Sequence, residues 1–161
     1  MNPPESFYRT INDPPLIFMP EDEANDFVEG LQCGPAGGAV RVIRGRKCRD
    51  YAALHNEVAA ALQFPGYYGE NWDAMDECVT DLEWMPAPWY LIHVNGIERL
   101  LPDDEKGFGI FLGILDDAGR RWADPDSRGL ASNEARLRRP FHTIISGSEE
   151  GLRRARAALG R

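Results

Sequence analysis

The chain has 161 residues and no apolar run long enough to cross a bilayer as a helix. Cysteine is scarce. Cys33, Cys48 and Cys78 are far apart and odd in number, which argues against a disulfide framework and against the close pairs of a zinc site. A reducing cytoplasm is the expected setting. The opening Met1-Asn-Pro-Pro-Glu-Ser lacks the basic and then apolar pattern of a secretory signal. No G-x-S-x-G, Cys–His or P-loop pattern occurs, so no catalytic residue, cofactor or metal site is expected. Positive charge is missing over a long span: from Asp50 to Glu98 there are nine acids and no Lys or Arg.

The content that remains is that of a globular chain, with 43% hydrophobic residues and length enough for one domain with a real core. Net charge is −8, which argues against nucleic acid as a partner and for a basic one. The charge is segregated. Residues 37–49 carry five bases and no acid, and residues 120–161 carry ten Arg against five acids. One strongly negative region and at least one positive region follow.

Pattern and punctuation give the elements. Residues 1–13 read as a loose arm. Pro15 to Pro20 is a short apolar run between prolines, an edge-strand pattern. Ala24, Phe27, Val28 and Leu31 then recur at helical spacing, with acids early and Gly34 as a stop. Residues 39–45, 89–94 and 141–146 read as strands. Asp50 is a cap for a helix whose apolar stripe is Leu54, Val58, Ala61 and Leu62. Residues 102–122 read as a helix with acids in its first turn and Arg120 and Arg121 in its last. Ser148 caps a final helix. Residues 123–140 read as an Arg-rich loop. Strands alternating with helices predict an α/β fold with a parallel sheet of three strands flanked by helices, a fourth strand in the N-terminal unit being left open. His93 and His142 fall in strands and are expected as packing residues. His55 is expected on a helix surface.

The stretch FPGYYGENWDAMDECVTDLEW, residues 64–84, holds six acids and no base. On a helical wheel, Trp72, Met75, Cys78, Val79 and Leu82 share a buried side, and Asp73, Asp76, Glu77, Thr80 and Asp81 share the other. Carboxylates at i, i+3 and i+4 repel by about 0.2–0.5 kcal/mol per pair, and Glu77 and Asp81 lie too far along to gain from the helix dipole. The loop before the helix has Gly66 and Gly69, which permit unusual backbone angles, and Tyr67 and Tyr68, which offer rigid amphipathic contact area. A negative face beside aromatic rings is suited to a basic protein partner.

Residues 64–78 resemble the barstar family. Pro65, Tyr67-Tyr68-Gly69-Glu70-Asn71, Asp73-Ala74 and Cys78-Val79-Thr80 carry the resemblance, and the order of elements over residues 38–146 is similar. It implies a barstar-like domain there, with residues 1–37 as an N-terminal extension, residues 147–161 as a C-terminal helix and the Arg-rich loop as an insertion. It also implies an intracellular bacterial inhibitor or immunity protein. Its carboxylates would take the place of RNA phosphates in the active site of a basic, extracellular-type ribonuclease, with no part for nucleic acid or membrane. Tyr67, Gly69, Asn71, Asp73 and Thr80 match family contact positions. Glu77 stands where the family has its most deeply inserted aspartate, and Asp76 where it often has Trp. Asp117 approximates a further acidic contact. The departures at 76, 77 and 81 point to a ribonuclease related to barnase but different from it. Two other readings stay open. One is an immunity or regulatory protein against a different basic partner. The other is a Mg²⁺ enzyme built on Asp73, Asp76 and Glu77.

Overall fold

Four short runs rich in Val, Ile and Leu form one parallel sheet. They are β1 (Leu16–Pro20), β2 (Ala39–Arg44), β3 (Tyr90–Asn95) and β4 (Phe141–Gly147), in the order β1-β4-β3-β2. The computed structural model describes residue 7 and residues 15–32, 37–124 and 139–161. Most of the expected N-terminal arm and of the Arg-rich loop lies outside the described residues. The N-terminal unit does supply a fourth strand, an edge strand paired to β4 from Leu16↔Thr143 to Pro20↔Gly147.

The helices are α1 (Glu21–Gln32), α2 (Tyr51–Ala61), α3 (Trp72–Asp81), α4 (Glu105–Ala123) and α5 (Glu149–Ala158). Four starts are set by side chains that accept a backbone N–H: Asp50 from Ala53, Asn71 from Ala74, Asp104 from Gly107 and Ser148 from Gly151. Among the described residues no helix is long and apolar enough to cross a membrane.

From β2 to β3 to β4 the chain steps one way across the sheet, whereas from β1 to β2 it returns from one edge to the other. Crossovers of one hand therefore put α1 on the opposite face from α2, α3 and α4. Packing agrees. Ala24, Val28 and Leu31 of α1 meet Leu91 and Ile144, with Trp89 and Phe7. Tyr90, Ile92 and Val94 of β3 point the other way, into the larger core with Leu54, Val58, Met75, Val79, Phe108, Phe111 and Leu115. Alternation along β3 thus serves two cores.

The histidines split from expectation at one position. His93, bonded to Ser146 at 2.8 Å, and His142, bonded to the Phe7 carbonyl at 3.0 Å, are buried packing residues. His55 is not on a helix surface. It is fully buried, because the loop after α2 folds back over that helix.

Candidate functional site: an acidic loop and helix

The loop 63–71 and α3 are held in place from beneath. Tyr68 hydroxyl bonds His55 Nδ1, and Phe64 packs edge-on to Tyr68 with centroids 4.7 Å apart. His55 is walled by Tyr51 at 4.2 Å and by Trp72 at 5.0 Å. Trp84 Nε1 donates to the Leu62 carbonyl at 2.9 Å. Only one of the two tyrosines is therefore outward contact area: Tyr67 is 75% exposed, and Tyr68 is a partly buried prop. Burial pushes the Tyr68 phenol up and the His55 imidazole down, so both are neutral near pH 7.

The unusual backbone falls at neither loop glycine. The left-handed residues of the loop are Gln63, at φ 53 where α2 ends, and Glu70, at φ 49 just before α3, and the Glu70 carbonyl accepts from Tyr51 hydroxyl at 2.9 Å. Gly69 matters through space instead: a Cβ there would come within 3.0 Å of Asn71 Nδ2, which donates to the Gly69 carbonyl at 3.2 Å. Asn71 is the cap of α3, its Oδ1 accepting from Ala74 N at 2.9 Å.

Along α3 the two sides separate as the periodicity requires. Met75, Cys78 and Val79 are buried, and burial pushes the Cys78 thiol up to about 11, which makes it a packing group. Asp73 and Glu77 are exposed, one turn apart, and neither makes an ion pair among the described residues. Asp76 differs: Arg121 of α4 bonds its carboxylate at 2.8 Å. Thr80 hydroxyl donates back to the carbonyls of Asp76 and Glu77 at 2.8 and 3.0 Å. Asp117 is exposed on α4, one turn before Arg121, and α4 meets α3 again where Trp122 Nε1 donates to the Val79 carbonyl at 3.1 Å. Its neighbour Asp116 is engaged by Arg120 at 3.1 Å and Arg161 at 2.9 Å.

Tyr67, Gly69, Asn71, Asp73, Asp76, Glu77 and Thr80 thus lie together on one loop-and-helix unit, with Asp117 on the adjoining helix. Sequence reasoning did not find Tyr51, His55 or Arg121. Tyr51 and His55 at i, i+4 on α2 were a readable aromatic pair. Arg121 is 45 residues from Asp76, and nothing local announces it. Asp73, Asp76 and Glu77 do not converge. Among the described residues no group of three or more His, Cys, Asp or Glu is placed to hold a metal ion. The basic stretch 41–49 turns partly inward, since Arg44 grips Glu57 with two bonds of 2.6 and 2.9 Å.

A match to the family described as "Barstar (barnase inhibitor)" spans residues 38–143. This chain belongs to the barstar family. Its strands β2 and β3, the first three residues of β4, and its helices α2 to α4 fall within the match, and β1, α1 and α5 lie beyond it. The chain is also similar to a Bacillus subtilis (strain 168) protein named "Putative ribonuclease inhibitor YrdF", with 37% identity over 54 residues. That alignment takes in 34% of this chain and 57% of the relative, so little more than half of the relative's length is spanned.

Proposed function

We propose that this barstar-family chain inhibits a basic microbial ribonuclease inside the cell by covering its active site with the loop 64–71 and α3. Asp73 and Glu77 would stand where the enzyme holds RNA phosphates, Tyr67 would supply aromatic contact, and Asp117 would add charge at the margin. The observation that carries the reading is the contrast along α3. Asp76 is neutralised within the molecule, whereas Asp73 and Glu77 project without a counter-ion among the described residues. Two exposed carboxylates at i, i+4 repel each other, and a cationic cleft would relieve that repulsion. Gly69, Asn71 and Thr80 serve the surface by shaping it: their polar atoms are engaged in the loop and in the helix.

The test is inhibition of a panel of basic, guanyl-preferring microbial ribonucleases, barnase included, by the native chain and by Asp73→Ala/Glu77→Ala. Potent inhibition that weakens with salt and disappears in the double variant is expected. A native chain that inhibits no panel member would move the proposal to a different basic partner of the same surface.

A further inference from the structure

Tyr51 begins α2. Asp50 caps that helix through a 2.9 Å bond to Ala53 N, which fixes where the Tyr51 ring leaves the backbone. The ring lies against His55 at 4.2 Å and edge-on to Trp72 at 5.2 Å. Its hydroxyl then crosses to the Glu70 carbonyl at 2.9 Å. Glu70, the residue just before the α3 cap, has a left-handed backbone, and a side chain with a Cβ resists that conformation. The next residue, Asn71, caps the helix that bears Asp73 and Glu77. Two helices, one strained residue and one cap are therefore linked through a single phenol.

We infer that Tyr51 is a positioning residue for the acidic face: its hydroxyl holds Glu70 left-handed, and this sets the direction in which Asn71 launches α3. Its part in binding rests on the inhibitor reading above, while the brace itself exists in the free protein. Glu70 is an exposed residue and its bond from Tyr51 lies at the surface, so without the hydroxyl water would satisfy the carbonyl equally in any loop conformation. Nothing would then favour the strained one. Tyr51 is itself 40% exposed, so the brace lies at the rim of the face it supports.

Hydrogen exchange of the free protein tests the brace, and inhibition tests its consequence. Tyr51→Phe keeps both ring contacts and removes one hydroxyl. Protection of the Tyr68 and Ala74 amides, bonded to the Pro65 carbonyl and to Asn71 Oδ1, should fall about threefold to tenfold. Protection of Leu62, at the far end of α2, should not change. Adding Glu70→Gly should restore the lost protection, because glycine adopts the same backbone without a Cβ. Against a ribonuclease that the native chain inhibits, Tyr51→Phe should weaken inhibition about threefold to tenfold with an unchanged salt dependence. Unchanged protection of Tyr68 and Ala74 would overturn the brace, and so would a loss that spreads to Leu62. Lost protection with unchanged inhibition would overturn the positioning role. A native chain that inhibits nothing would count against the inhibitor reading alone, and exchange would still decide the brace.

Discussion

Asp76 and Glu77 are adjacent in sequence and differ in what holds them. Arg121 reaches Asp76 at 2.8 Å with side chains 39% and 27% exposed, a geometry worth about 0.2–1 kcal/mol. Asp76→Asn should therefore cost the free protein under about 1 kcal/mol in denaturant unfolding and change inhibition modestly. Glu77→Ala should do the reverse. Removing one member of a desolvated charge pair generally costs about 2–5 kcal/mol of binding, while relief of repulsion with Asp73 leaves stability equal or slightly higher. A binding loss under about 0.5 kcal/mol for Glu77→Ala would remove that residue from the centre of the interface.

The buried histidines give a separate dependence on pH. Burial lowers His93 from 6.5 to about 4, and it lowers His55 and His142 as well. In the folded state these rings stay neutral, whereas the unfolded chain takes up protons below about pH 6.5. Their contribution is full above pH 6.5 and falls as pH drops towards 4. For His93 alone the loss reaches about 2 kcal/mol at pH 5. Glu57 acts in a lower window. The Arg44 guanidinium holds its carboxyl below 4.5, so its contribution is present above pH 4.5 and is lost only under it. Urea midpoints should drop between about pH 7.5 and pH 5, and His93→Gln should flatten that slope. An unaltered slope in the variant would assign the loss to the other two rings.

At the scale of elements, α3 shows how a proposed contact residue can also have a structural role. Asn71→Ala removes the cap and should cost about 1 kcal/mol of stability. Asn71→Asp retains an acceptor for Ala74 N and should restore most of it. Affinity still missing in Asn71→Asp would then report a direct contact of the amide with the partner. Equal loss of stability in both variants would argue against capping as the cause. The strands and helices themselves were legible, because alternation, apolar stripes and cap residues such as Asp50 and Ser148 act within a few positions. The left-handed residue that precedes the α3 cap was not. Intrinsic preference favoured Gly66 or Gly69, but the bond from Tyr51 places the burden on Glu70. His55 escaped for a related reason. Its burial depends on Tyr68 and Trp72 returning over α2, a tertiary event that no local pattern encodes. The acidic face was legible as a face, while the pairing of Asp76 with Arg121 needed α4 to be packed against α3.

For the whole molecule, the question is what β1 and α1 add to a sheet whose other strands carry the family match. They turn β4 from an edge strand into an interior one and cover a sheet face that holds Leu91, Ile144 and Trp89. The acidic unit is built on the opposite face, where Met75 and Val79 enter the larger core. Stability and inhibition should therefore separate. A chain shortened to residues 38–161 uncovers several large apolar side chains, each worth about 1.5–3 kcal/mol when fully buried. It also leaves the β4 edge open to pairing with other chains. The shortened chain should unfold at lower denaturant, bind a hydrophobic dye and associate at high concentration. Each molecule that remains folded should inhibit as the full chain does, since Tyr67, Asp73 and Glu77 keep all their supports from α2 and α4. Equal stability of the two chains would mean that β1 and α1 add nothing to the core. A shortened chain that stays folded and monomeric yet loses inhibition would mean that the binding surface extends on to the N-terminal unit.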